Sequence, residues 1–130
     1  RPDVQRGWLE AELDAQLFMK DLGNATAISQ MADDQTEGMD RRVLWASLYG
    51  QNPPKIGGGE EKLTLRFVFD DTAKQLVSAA TKFLHGRKVV PNEQLRSEAI
   101  MDGVANEVLT ARGLSAPIGF VGEQPDSAYQ

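Results

Sequence analysis

The chain has 130 residues, with 14 Lys+Arg against 19 Asp+Glu, one His and no Cys. That length allows one ordinary domain, or two small units sharing a core, and a composition 41% hydrophobic and 25% charged belongs to a globular protein. Without Cys there is no disulfide scaffold and no Cys-based zinc module, no apolar run is long enough to span a bilayer, and a net charge of −5 argues against coating nucleic acid by bulk charge.

In chain order, Asp3–Leu22 reads as a helix, with Val4, Trp8, Leu9, Leu13, Leu17, Phe18 and Leu22 recurring at helical spacing and Gly23-Asn24 as its stop. A short helix over Ala25–Ala32 and another over Met39–Tyr49 follow, separated by the acidic turn Asp33–Gly38. Trp8 and Trp45 are expected to anchor the core of this helical arm or small bundle, residues 1–50. The segment 51–61, rich in Pro and Gly around Pro53-Pro54 and Gly57-Gly58-Gly59, reads as a linker.

Lys62–Phe69 carries the clearest strand pattern. Leu63, Leu65, Phe67 and Phe69 alternate with Lys62, Thr64, Arg66 and Val68. Asp70 or Asp71 caps a helix over Thr72–Leu84, with Ala73, Leu76, Val77, Ala80, Phe83 and Leu84 on its apolar side and Gly86 ending it. Pro91-Asn92 opens a further helix, Glu93–Arg112, ended by Gly113. Residues 113–130 read as a tail, extended or disordered unless docked.

A single strand cannot satisfy its own backbone groups, and no other segment has comparable strand character. The expected partner is therefore a second copy of the chain, giving a mainly α fold whose strand–helix–helix unit, residues 62–112, forms an intertwined homodimer through an antiparallel two-stranded ribbon.

The order and spacing of 62–112 resemble the ribbon-helix-helix family of DNA-binding dimers. The resemblance implies that the outward strand residues Lys62, Thr64 and Arg66 meet base edges in the major groove. It also implies that phosphate is held at the start of the second helix, at Asn92, with Arg87, Lys88 and Arg96 nearby. The connection from His85 to Pro91 is longer than the family's tight turn, and Val68 stands where a polar residue is usual. Charge is distributed compatibly: residues 1–60 carry −4, 61–100 carry +2 and 101–130 carry −3.

Each of these residues also has a plainer explanation. Lys62, Thr64 and Arg66 suit the solvated face of any half-buried strand, and Asn92 suits an ordinary helix cap. His85 stands alone near a helix C-terminus, Gly57–Gly59 precedes a strand where a phosphate loop follows one, and the Asp pairs lack the spacing of a calcium loop. The reading is thus a protein that is not an enzyme, with no cofactor, metal or membrane partner. It is expected to be cytoplasmic and, opening at Arg1 without a leader, a fragment or processed product.

Two functions follow as expectations. The first is a dimeric DNA-binding protein, such as a transcriptional repressor, a plasmid partition factor or a DNA-transfer accessory factor. The second is a structural or assembly subunit of a virus particle or larger complex, docking on a protein partner through residues 1–50 or 113–130.

Overall fold

The computed structural model describes residues 1–51 and 63–130. Among these are five helices, α1 (Pro2–Lys20), α2 (Ala25–Gln35), α3 (Arg41–Tyr49), α4 (Asp71–Gly86) and α5 (Gly103–Ala111), with short 3-10 segments between α1 and α2 and between α4 and α5. Two short strands, β1 (Thr64–Leu65) and β2 (Gly119–Phe120), pair antiparallel, with Thr64 opposite Phe120 and Leu65 opposite Gly119. The fold is mainly helical, as expected. The chain divides into two compact units that are discontinuous in sequence: Arg1–Glu10 with Arg66–Pro117, and Ala11–Leu65 with Ile118–Gln130.

The second of these units holds most of the buried core. Leu13 of α1, Trp45 and Tyr49 of α3, and Ser29 of α2 are almost fully buried, joined by Leu65, Ile118 and Val121. Two of its buried polar groups are satisfied, the Tyr49 hydroxyl donating to the Met19 carbonyl at 3.1 Å and Ser29 Oγ to Thr26 O at 2.9 Å, whereas Gln16 Oε1 and Trp45 Nε1 are buried without a hydrogen-bond partner among the described residues. The Asp40 carboxylate starts α3 by accepting from the Arg42 N–H at 2.7 Å, so the helix begins two residues later than the apolar spacing suggests. Gly50 ends it at a close approach, where a Cβ would stand 2.6 Å from the Ala46 carbonyl oxygen.

Trp45 is the core anchor its type predicts, at 1% exposed. Trp8 is not: it is 74% exposed, which corrects its assignment to the bundle core. The tail is docked. Gln124 N donates to Tyr49 O at 2.7 Å, Val121 N to Leu63 O at 2.9 Å, and Ile118 N to Leu65 O at 2.9 Å.

Three further expectations are corrected. The partner of β1 is β2 of the same chain, so a second copy is not required to satisfy it; Gly119-Phe120 is too short to show the alternation that marks a strand. The strand also stops at Leu65. Phe67 adopts φ 61°, and a tight turn in which Val68 N donates to Arg66 O at 2.7 Å breaks the alternation expected to reach Phe69. The second helix covers only 103–111, because residues 91–102 form turns and the 3-10 segment Ser97–Ala99. Asn92 accordingly caps no helix; the residue before α5 is Asp102.

In the unit formed by Arg1–Glu10 and Arg66–Pro117, Ala105, Val108 and Leu109 of α5 are buried. Ion pairs tie Arg6 to Glu107, and Lys74 to Asp102 at 3.3 Å. Helices α4 and α5 end alike. Leu114 N donates to Leu109 O and Gly113 N to Thr110 O around Gly113 at φ 66°; Val89 N donates to Leu84 O and Lys88 N to His85 O around Lys88 at φ 59°. Gly86, the expected stop, is the last residue of α4, and the left-handed residue that follows is Lys88.

Candidate functional site

The residues expected to read nucleic acid fall at several places. Lys62 lies outside the described residues. Thr64 sits on β1, half-buried opposite Phe120. Arg66 pairs with Asp70, the residue whose carboxylate starts α4 by accepting from Ala73 N at 2.8 Å. That cap bond, followed by the Arg66 guanidinium, holds the Asp70 carboxyl below its ordinary range. Arg66 is thus already committed to a carboxylate within its own unit.

Arg87 and Lys88 lie side by side, exposed, at the C-terminal end of α4. Asn92 and Arg96 line a hollow of about 520 Å³ together with Leu84, Val90, Pro91 and Leu95. Neither Arg87, Lys88 nor Arg96 forms an ion pair with a described residue. The structure therefore keeps Arg87 with Lys88 and Asn92 with Arg96, while Thr64 belongs to the other compact unit.

Sequence reasoning missed the apolar surfaces. The first is a groove of about 710 Å³ between the start of α1 and the segments around Phe69 and Met101. Val4, Trp8, Phe69 and Met101 on its walls are 56%, 74%, 45% and 76% exposed. Arg1, Gln5 and Asp102 are the polar members of its lining. Large aromatic and thioether side chains held this open are unusual on a solvated surface.

The second is α4 itself. This 16-residue helix is strongly amphipathic, yet none of its residues is buried. Its half-buried members Ala73, Val77, Thr81 and His85 recur every fourth residue. Leu76, Ala80 and Phe83 lie along another line and are exposed, Leu76 at 64% and Phe83 at 67%. The sequence reading merged these two lines into one apolar face, because Ala73 and Val77 are as apolar as Leu76 and Phe83. Side-chain size does not separate the two lines either, since Ala80 stands on the exposed one and His85 on the one that packs.

In the other unit, the chain end is clasped by α3. Arg41 Nε donates to the Tyr129 hydroxyl at 3.0 Å and Arg41 Nη2 to Gln130 O at 2.9 Å. The Tyr129 ring meets Trp45 edge-on at 5.6 Å between centroids, with the Arg41 and Arg42 guanidinium carbons 5.2 and 5.8 Å from its centre.

Among the described residues no group of three or more His, Asp or Glu is placed to hold a metal ion, and no helix is long and apolar enough to cross a membrane. Comparison with protein-family models, with curated proteins and with solved structures finds no match to this chain.

Proposed function

We propose that the chain is a self-associating assembly subunit, a helical protein that works by docking exposed apolar surface onto protein. The observation that carries this reading is α4, an amphipathic helix of 16 residues without a single buried side chain. Helices in folded proteins draw most of their stability from packing an apolar face, and α4 has that face outside. The open groove at Trp8 and Met101 adds a second apolar surface to the same unit. Arg66, the strand residue best suited to a guanine edge, is held by Asp70 and does not offer its fork to a base.

Light scattering on the full chain, from about 1 to 200 μM, tests the proposal. Mass above that of the monomer, rising with concentration and insensitive to nuclease, is expected. A monomer throughout that range refutes it.

Duplex DNA binding is the second reading, supported by the exposed cations Arg87, Lys88 and Arg96, which form no ion pair among the described residues. It requires duplex affinity that falls steeply with salt and is lost in an Arg87→Ala/Arg96→Ala protein. Fluorescence anisotropy that shows no such salt-dependent binding removes it.

A further inference from the structure

We propose that the hollow between the last turns of α4 and the segment 90–99 binds a free α-amino acid with an aliphatic side chain, its carboxylate on Arg96 and its ammonium on Glu98. The hollow shares no residue with the exposed Leu76–Phe83 line, so the inference stands apart from the assembly reading.

The space is that of a small-molecule site. It measures about 520 Å³, within the range of about 300–1,000 Å³ usual for such sites, and all of its lining belongs to one compact unit. Asn92, Gln94, Arg96 and Glu98, every second residue of the segment after Pro91, supply the polar lining. Leu84, Val90 and Leu95 supply an apolar wall, with Leu84 37% and Leu95 42% exposed. The hydroxyl of Thr81, also in the lining, is spent on the Val77 carbonyl at 2.8 Å.

The charges select the ligand. Arg96 and Glu98 are two residues apart, which limits their Cα separation to about 7 Å. No ion pair joins them, and neither pairs with another described residue. Lys74 and Lys82 of α4, by contrast, have Asp102 and Glu93 as partners, at 3.3 and 3.9 Å. The side chains of Asn92 and Gln94 likewise form no hydrogen bond among the described residues.

A simple anion such as phosphate would meet Glu98 as well as Arg96, and a simple cation would meet Arg96 as well as Glu98. A ligand that carries both charges on neighbouring atoms satisfies both residues. The Arg96 fork can take a carboxylate through two parallel bonds, and Glu98 accepts from an ammonium. The two amides offer neutral donors and acceptors for the remaining polar atoms. An α-amino acid sets its ammonium and carboxylate on one carbon, which leaves an aliphatic side chain for Leu84, Val90 and Leu95. A peptide segment carries neither charge on its backbone, so the free amino acid is the form that fits.

Amide chemical shifts of the isotope-labelled full chain, titrated with L-leucine, test the proposal. N-acetyl-L-leucine lacks the ammonium and L-leucinamide lacks the carboxylate. Saturable shifts at residues 84 and 90–99 are expected with L-leucine, half-complete at about 1 mM or below. Each of the other two ligands should bind about tenfold more weakly, the loss of one charge-assisted bond at this exposure. Arg96→Gln should abolish the preference for L-leucine over L-leucinamide and keep that over N-acetyl-L-leucine; Glu98→Gln should do the reverse. Both residues are exposed and unpaired among the described residues, so far-UV circular dichroism should be unchanged in either variant. No saturable shift below about 20 mM, equal affinity for the three ligands, or preferences that survive both substitutions would overturn the proposal. Shifts centred on the groove at Trp8 and Met101 would overturn it as well.

Discussion

Tyr129 holds the end of the chain, and truncating it to Ala isolates what that hold contributes. The substitution removes an edge-on ring pair with Trp45, worth about 1 kcal/mol, and the Arg41 and Arg42 contacts over the ring, worth about 0.5–1 kcal/mol at this exposure. It also removes the Arg41 Nε hydrogen bond to the hydroxyl, about 1 kcal/mol net. Together these give about 2–3 kcal/mol, or a 30- to 150-fold increase in the equilibrium opening of the tail. Tyr129→Phe keeps the ring and loses only the hydroxyl, so its effect should be about fivefold. Native-state hydrogen exchange reads this directly at Gln124 N–H, bonded to Tyr49 O, and at Val121 N–H, bonded to Leu63 O. In a Trp8→Phe background, Trp45 fluorescence should shift red in the Tyr129→Ala protein as water reaches the ring. Unchanged protection at Gln124 and Val121 would refute the reasoning. So would an equal loss in α2 and α3, because the tail would then be inseparable from the rest of its unit.

Four other substitutions or titrations have defined outcomes. Gly50→Ala drives a Cβ to 2.6 Å from the Ala46 carbonyl and should cost about 1–3 kcal/mol in urea denaturation. Lys88→Gly relieves a left-handed residue at φ 59° and should raise stability by about 1 kcal/mol, seen as a higher denaturation midpoint. The Asp70 carboxyl, held low by the Ala73 N–H and then by Arg66, favours folding in its charged form. That stabilisation is complete above the ordinary carboxylate value of about 3.9 and is lost as pH falls through the lower folded value; circular dichroism of wild type and Asp70→Ala should therefore differ at pH 6 and converge in stronger acid. Burial pushes the Tyr49 hydroxyl above its ordinary value of about 10, so it stabilises the fold below pH 10 and ceases to as pH rises through the folded value. In Tyr129→Phe, where Tyr49 is the single tyrosine, absorbance at about 295 nm should show ionisation only above pH 10, coupled to unfolding.

What could be read from the residues alone follows the reach of the interactions involved. Helices α1 to α4 were legible because their apolar spacing and their stops are local: Asp40 and Asp70 accept the bonds their positions suggest, and Tyr49 ends α3. β2 was not legible, since two residues carry no period; it exists because Ile118 and Val121 donate to Leu65 and Leu63 across more than fifty residues. The helix expected from Glu93 shortened for a different reason. Leu95, Ala99 and Ile100 keep helical spacing, yet the chain forms turns there, and periodicity cannot register which of two conformations tertiary contacts select. Of the candidate site, the cations were visible and their engagement was not: nothing in the spacing of Arg66 and Asp70 distinguishes an ion pair from a residue left for a base.

The two outliers of backbone conformation bear on the same question. Phe67 turns the chain at φ 61° just past the strand, and Lys88 follows the end of α4 where glycine would be less strained. Between them lies α4, a 16-residue helix none of whose residues is fully buried. A chain selected only for the stability of a single copy would place glycine at 88 and smaller or polar side chains at 76 and 83. Retaining Lys88, Leu76 and Phe83 costs the isolated chain stability at three positions of one element. The exposure of Leu76 and Phe83 is offset if the element meets protein surface, because association then removes these side chains from water.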